Sequence, residues 1–298
     1  MIRKTGGSVL FILFGAAILT GSSWGLQAEG KTAIVCFLSG NVSAQEPGQT
    51  GRKDLGLFDW LSAGTEIETG PGARLVIAFS NGSRYELGEK SAVVLGKNSL
   101  KSQSGPVKPL ESVPVMPQIL SLAADVQPGN RLGGIRLRSS KPTIANLYPS
   151  EGDALLPDQA VLSFEPLPDV RKYRVEIEDE QGRDLLSVET SVPRVTVAPE
   201  ILKAGVHYYW QVRALEKDVS TVSYAAFVTP TEEEARLYKS FRTQVGASTD
   251  TANLLLLARY EMSIGLRRES CETLKEALAL SPENEKIKEM AARAACEQ

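Results

Sequence analysis

The most constraining feature of this chain is a pair of strand-patterned runs on either side of Ser80-Asn81-Gly82. Ala73 to Phe79 lies before it and Arg84-Tyr85-Glu86-Leu87 after it. Asn-Gly between two such runs marks a tight hairpin. Loop length then decides which side chains face one another, because a one-residue slip moves every side chain to the other face. A two-residue loop would set Ile77 against Glu86 and Phe79 against Arg84, mixing charge into an apolar face. A three-residue loop with Gly82 in the left-handed region pairs Leu75 with Leu87 and Ile77 with Tyr85. It leaves Arg84 and Glu86 opposite Ala78 and Val76, and this is the register predicted.

Strand grammar extends to either side. Ile34-Val35-Cys36-Phe37-Leu38 is a short apolar run ending at Gly40-Asn41, read as a first strand entering a turn. Glu46 to Gly56 is polar and glycine-rich, hence a loop, and Leu57-Phe58-Asp59-Trp60-Leu61 leads into Gly64-Thr65-Glu66-Ile67-Glu68-Thr69-Gly70. That motif, the apolar strand, the turn ending Gly82-Ser83, the second strand and Ser91 to Leu95 together closely resemble the core of the FecR domain. The resemblance implies an all-β binding module of a bacterial cell envelope, here over residues 29–95.

The N-terminus agrees with export. Arg3 and Lys4 precede an uncharged segment, Thr5 to Ala28, most apolar from Val9 to Leu19 and followed by Gly21-Ser22-Ser23. This is the n-, h- and c-region order of a secretory signal peptide over residues 1–28, cleaved after Gly25 or Ala28. The competing reading is an uncleaved N-terminal anchor, since the uncharged run is long enough to cross about 30 Å of hydrocarbon. Either reading puts Glu29 onward outside the cytoplasm. Cys36 follows Val35 rather than a small residue, so no lipobox and no lipid anchor are expected.

From Gly96 to Lys141 serine, glycine, proline and lysine dominate, around one apolar patch at Ile119 to Val126. The expectation for 96–141 is a linker, with a structured strap on the first unit as the alternative. Pro142 to Thr229 returns to alternation: Tyr173, Val175 and Ile177 against Arg174, Glu176 and Glu178, and later Tyr208, Trp210, Val212 and Ala214 on one face. The run Gly205 to Ala214 is similar to a fibronectin type III sandwich near its penultimate strand.

From Thr231 the chain reads as helical, opening with a capping box of Thr231 and Glu234 behind an acidic first turn. Thr251 to Asn284 resembles one tetratricopeptide repeat: with Thr251 first, Leu257, Ala258, Gly265, Ser270, Leu274, Ala277 and Pro282 fall on its positions. Glu261 stands where that repeat carries an aromatic, with Tyr260 one residue early. A single repeat cannot bury its own face, so this unit, 231–298, should lean on the Thr231 helix, the sandwich or a second copy. The overall expectation is a multidomain chain, β then α: a FecR-like all-β domain, a fibronectin type III-like β-sandwich over 142–229, and a tetratricopeptide-like hairpin with a capping helix.

Residues that could carry chemistry are few. A formal net charge of −3 with interspersed signs gives no basic stripe, so nucleic acid is not an expected partner. The single histidine, His207, shares the outward strand face with Tyr209, Gln211 and Arg213, and the three cysteines lack zinc spacing, so neither metal nor cofactor is expected. Glu176 and Glu178 share a strand face and are read as solvated rather than as an acid/base pair. No enzymatic activity is predicted. Cys271 and Cys296 sit on successive helices at similar distances from Pro282, so antiparallel packing would bring them into bridging range; two buried thiols are the alternative. The tetratricopeptide resemblance implies a concave partner-binding face carrying Ala252, Leu255, Arg259, Met262 and Ser263, against which stands core packing of Leu255 and Met262.

The function expected is a non-catalytic exported binding or scaffold protein of the bacterial cell envelope, engaging an envelope protein, peptidoglycan or another glycan. It would touch the membrane only through an uncleaved anchor. One alternative is a periplasmic sensor component of a FecR-type signalling system, although only Met1 to Lys4 precede the apolar run and direct relay to the cytoplasm is disfavoured. Another is a glycan-binding or glycan-active protein using Trp60, Tyr209 and the strand carboxylates.

Overall fold

The computed structural model describes residues 31–112, 118, 144–216, 221–246, 250–294 and 296. The predicted export segment 1–28 and most of the predicted linker, 113–141 apart from Gln118, lie outside the described residues.

The first unit is two five-stranded sheets. One runs β10-β7-β6-β1-β4 and the other β3-β2-β5-β8-β9. Its strands are β1 (Lys31–Ser39), β2 (Val42–Gln45), β3 (Lys53–Asp54), β4 (Trp60–Ser62), β5 (Glu66–Thr69), β6 (Arg74–Phe79), β7 (Arg84–Leu87), β8 (Ala92–Leu95), β9 (Leu100–Ser104) and β10 (Val107–Leu110). The hairpin adopts the three-residue register: Leu75 faces Leu87, Val76 faces Glu86, Ile77 faces Tyr85 and Ala78 faces Arg84. Gly82 has a φ of +88° and donates its N–H to the Phe79 carbonyl at 2.8 Å, closing the loop as only a residue without a Cβ does cheaply.

Two strands lie inside the stretch expected to be linker. β9 pairs with β8 and β10 with β7, so residues 100–110 complete the first unit, as the strap alternative held. Both are edge strands, where backbone pairing holds the chain while Lys101, Ser102, Gln103 and Lys108 stay in water and Pro109 is tolerated. The short β3 likewise interrupts the expected 46–56 loop.

Between the sheets lies a core of Val35, Leu38, Leu61, Ile67, Leu75, Ile77, Phe79, Leu87 and Val93. The opposite face of β1 and β6 carries Ile34, Cys36, Phe37, Val76 and Ala78, and these are equally buried. Strands apolar on both faces demand a second layer. Helices supply it.

The second unit is a fibronectin type III-like sandwich of β11 (Asp153–Ala154), β12 (Val161–Ser163), β13 (Tyr173–Asp179), β14 (Asp184–Thr190), β15 (Arg194–Thr196), β16 (His207–Ala214) and β17 (Val222–Val228). One sheet is ordered β11-β17-β16-β13-β14 and the other pairs β12 with β15, extended by a bridge from Tyr148 to Ser163. Tyr208, Trp210, Val212 and Ala214 point inward, as the alternation predicts. The Tyr208 hydroxyl accepts the Lys203 N–H at 2.7 Å, a tyrosine corner that fixes the chain entering β16. Trp210 Nε1 donates to the Pro149 carbonyl at 2.9 Å, so the buried indole keeps its hydrogen bond.

Four helices follow: α1 (Glu232–Val245), α2 (Thr251–Ser263), α3 (Arg267–Leu280) and α4 (Glu285–Arg293). Both halves of the capping box are made at Thr231 and Glu234. Cys271 on α3 and Cys296 beyond α4 are joined, with Cα atoms 5.3 Å apart, and Cys36 is free and buried. Burial pushes the Cys36 thiol up to about 12, which keeps it unreactive.

The helices are not a free module. Leu237, Phe241, Leu255, Leu257, Tyr260, Leu274 and Ile287 share one apolar cluster with Ile34, Phe37, Val76 and Ala78 of the first unit and with Ala154 and Leu156 of the second. Polar contacts tie it down, among them these. Arg84 Nη2 meets Asp250 Oδ2 at 2.7 Å; Asn284 Nδ2 donates to the Leu38 carbonyl at 2.9 Å; and the Ala154 N–H donates to the Gly265 carbonyl at 2.8 Å. The expected leaning on the Thr231 helix is present, and the first β unit adds a larger support.

The Arg84 side chain is only 3% exposed, against 28% for Asp250, so losing the aspartate strands a buried charge. Asp250→Ala is expected to destabilise the protein by about 3 kcal/mol. The double change Arg84→Met with Asp250→Ala should recover much of that loss. Denaturant titration of the four members of this cycle is the check, and a recovery near zero would show that the pair is not coupled.

Candidate functional site

A cleft of about 360 Å³ opens where the first unit, α2 and α4 meet. Its first wall is Gly56-Leu57-Phe58-Asp59, the connection between β3 and β4. Phe58 holds a φ of +66°, uncommon for a large side chain. It is held by pairing with β1: the Phe58 N–H donates to the Val35 carbonyl at 2.9 Å, and the Val35 N–H to the Asp59 carbonyl at 3.0 Å. The Gly56 N–H donates to Asp59 Oδ2 at 2.9 Å, closing the turn. Residues kept in sparse backbone regions by surrounding bonds cluster at ligand clamps.

The second wall is Arg259 and Met262, one turn apart on α2. The third is Lys286, Glu289, Met290 and Arg293, whose spacing puts them on one face of α4. Asn284 sets that helix in place, because its side chain accepts the Lys286 and Ile287 N–H groups while donating to Leu38. At the far end the Cys271–Cys296 bridge ties the chain beyond α4 back to α3.

Electrostatically the cleft is cationic by one charge, Arg259, Lys286 and Arg293 against Asp59 and Glu289. Glu289 lies 3.5 Å from Lys286 Nζ and 3.9 Å from Arg293 Nη2, so it engages two of the three cations. Arg259 differs. Its guanidinium carbon lies 5.9 Å from the centre of the Phe58 ring, and no carboxylate or carbonyl takes its N–H groups among the described residues. Burial alone lowers its pKa, as expected of a cation without a counter-ion.

Of the partner face implied by the sequence, Ala252, Leu255 and Ser263 are buried and only Arg259 and Met262 reach the cleft. The open concave face is therefore corrected. The sheet containing β1 and β6 covers it, because those strands have an apolar outer side that must be shielded. Phe58, Lys286, Glu289, Met290 and Arg293 went unread, although the 286/289/290/293 spacing is a visible signal.

Elsewhere, His207 is exposed on β16, and Glu176 accepts from Gln211 Nε2 at 2.7 Å on the same outward face. Trp60 is half-buried beside the helical cluster, away from Tyr209. Tyr209 is 52% exposed and has a neighbour, Tyr224, 70% exposed. β16 pairs Gln211 with Tyr224 and Tyr209 with Ala226, so the two rings are diagonal on one face. No group of metal-ligating side chains occurs among the described residues, and none of their helices is long and apolar enough to cross a membrane.

No protein-family model matches the chain, and no curated protein matches it. Among solved structures it is similar to the FN1–FN3 domains of chicken CNTN1, at 11% identity over 68% of this chain and 62% of that one, with a TM-score of 0.25. It is also similar to a two-domain fibronectin type III segment from chicken tenascin, at 13% identity over 67% of this chain and 85% of that one, with a TM-score of 0.23. The chain spans less than two thirds of the first of these. The sandwich assignment rests on its own strand order and on the Tyr208 corner.

Glu261 is the least comfortable residue of the helical unit. It is fully buried, and neither carboxylate oxygen has a hydrogen-bond partner among the described residues. Burial raises its pKa to about 8, only partly offset by the nearby Thr273 hydroxyl and Arg242, with Glu269 and Glu276 adding to the rise. The folded protein therefore holds Glu261 neutral at pH 7. Below its ordinary value of 4.5 the group is protonated whether folded or not. Between 4.5 and about 8 the unfolded chain ionises first, so stability falls as pH rises, by up to about 1.4 kcal/mol per unit. Glu261→Gln is expected to flatten that slope and to raise stability at pH 7 by on the order of 3 kcal/mol. Unfolding free energies from pH 4 to 9 measure this; equal slopes in the two proteins would refute it.

Proposed function

We propose that this chain is a non-catalytic exported binding or scaffold protein of a bacterial cell envelope. Its parts are a FecR-like β unit, a fibronectin type III-like sandwich and a tetratricopeptide-like hairpin. The FecR-like reading is supported by the Gly64 to Leu95 motif, whose two apolar runs pair as a hairpin across Ser80-Asn81-Gly82. The tetratricopeptide-like reading is supported by the α2–α3 pair, in which Leu257, Ala258, Leu274 and Ala277 are buried, Gly265 turns at a φ of +85°, and Ser270 Oγ donates to the Ala258 carbonyl at 3.0 Å.

The observation that carries the proposal is the composite cleft. Apolar Leu57, Phe58, Met262 and Met290 lie beside a half-buried Arg259 that is unpaired among the described residues, and the wall carrying Leu57 and Phe58 is preset by backbone pairing. Concave sites that mix apolar walls with a few placed polar groups are where proteins take ligands. A second reading, a glycan-binding face, is favoured by Tyr209 and Tyr224 beside Gln211 and Glu176 on the outer sheet of the sandwich.

The bridged cysteines suit an oxidising compartment. Alkylation of the protein as drawn from cells, followed by non-reducing mass spectrometry, should find Cys271 and Cys296 joined and Cys36 free. Cys271→Ser is expected to cost about 3 kcal/mol of stability, from the 25-residue separation that the bridge closes. Free thiols at both positions would remove the export argument.

Function is tested by cross-linking the exported form in envelope extracts and comparing protein capture with peptidoglycan sedimentation. Met290→Glu, which blocks the cleft, should lose the protein partners; Tyr209→Ala with Tyr224→Ala should leave them. Loss through the tyrosines alone would favour the glycan face. Capture indifferent to both would sink the proposal.

A further inference from the structure

The cleft's chemistry is specific enough to name what it takes. The Arg259 guanidinium carbon lies over the Phe58 ring, 5.9 Å from its centre, and its N–H groups have no carboxylate or carbonyl partner among the described residues. An arginine fork pairs bidentately with a carboxylate, and such charge-assisted bonds strengthen where water is partly excluded. Glu289 is engaged by Lys286 and Arg293, Asp59 Oδ2 accepts the Gly56 N–H, and neither lining carboxylate is paired with Arg259 among the described residues. A single negative charge would bring the cleft to neutrality.

The apolar groups narrow the ligand further. Met262 lies one helical turn from Arg259, a separation of about 5–6 Å between Cβ atoms. Leu57, Phe58 and Met290 extend that apolar side. A residue at the end of a chain presents a carboxylate and a side chain from the same Cα, so one such residue brings both groups to a charged and an apolar side chain that neighbour each other on one helix face. The volume, about 360 Å³, is at the small end of the roughly 300–1,000 Å³ of ligand sites, which suits an end-on residue or two rather than a segment lying along a groove.

We propose that this cleft binds the C-terminal carboxylate of a peptide whose last side chain is apolar, with Arg259 holding the carboxylate and Phe58, Met262 and Met290 receiving the side chain. The proposal rests on reading the cleft as the binding site. Phe58 acts through its fixed backbone: a wall that needs no ordering on binding costs the complex less entropy.

The test uses the full-length, disulfide-bonded protein and two fluorescein-labelled hexapeptides, Gly-Gly-Ser-Gly-Ala-Leu with a free C-terminus and the same peptide as its amide. Anisotropy should show saturable binding of the acid and binding of the amide at least about 10-fold weaker. Arg259→Gln should bring the acid down to the amide's level, whereas Arg259→Lys, which keeps charge but not the fork, should retain part of the difference. Met290→Ser should weaken the acid peptide while preserving its advantage over the amide, so the proposal stays testable if the Arg259 variants fail to fold. Equal affinity for acid and amide would overturn it, as would undiminished acid binding by a folded Arg259→Gln. Displacement of the peptide by octanoate at lower concentration than by unlabelled peptide would also overturn it in favour of a lipid carboxylate. Envelope capture and the acid–amide difference fail independently: the first alone removes the scaffold reading, the second alone removes the terminus as ligand.

Discussion

The structure depends on a sheet that is apolar on both sides. β1 and β6 send Val35, Leu75 and Ile77 into the first unit's own core, and Ile34, Phe37, Val76 and Ala78 the other way. Burial of a side chain of this size is worth roughly 1.5–3 kcal/mol, so leaving that second face wet would undo much of what the first unit gains by folding. The C-terminal helices cover it. Everything else about their placement follows: Asp250 must meet Arg84, Asn284 must reach the end of β1, and the turn at Gly265 must lie against β11 of the sandwich.

That arrangement changes how the parts act. Three modules strung on a flexible tether would bind independently and gain by effective concentration. Here the apolar cluster is continuous across both β units and the helices, and the face that a helical repeat would offer to a peptide is already occupied by β1 and β6. What remains open is the seam. The cleft lies between the Phe58 turn, which is bonded to Val35 of β1, and α4, which is pinned at both ends by Asn284 and by the cysteine bridge. Its walls come from segments more than two hundred residues apart in the chain.

Much of the local structure was legible. The register at Asn81-Gly82 followed from refusing charge on an apolar face, the inward row at Tyr208 to Ala214 from simple alternation, and the start of α1 from the Thr231–Glu234 box. The edge strands β9 and β10 were not, because edge strands keep polar side chains in solvent and are held by backbone bonds that leave no trace in composition. The docking of helices on the first unit was readable in principle. Ile34-Val35-Cys36-Phe37-Leu38 and Leu75 to Phe79 do not alternate, and an unbroken apolar strand announces cover on both faces. The candidate site was half visible: Arg259 and Met262 stood on the expected helix face, while the turn geometry of Phe58 is a tertiary outcome that no residue type declares. Glu261 showed only as a departure from the repeat, and its burial became apparent once α1 and α3 closed around it.

The pairing of Arg84 with Asp250 joins positions 166 residues apart, and that of Asn284 with Leu38 spans 246. A polypeptide emerging from its N-terminal end thus makes its first sheet long before it makes the layer that shelters it. Until the helices that follow Thr231 are made, the outer face of that sheet lacks its apolar cover. Contacts of such range form slowly, since distant segments must find one another before any reward is realised. Such an order of events postpones consolidation of the first unit until the helices have been made, with the seam assembling last.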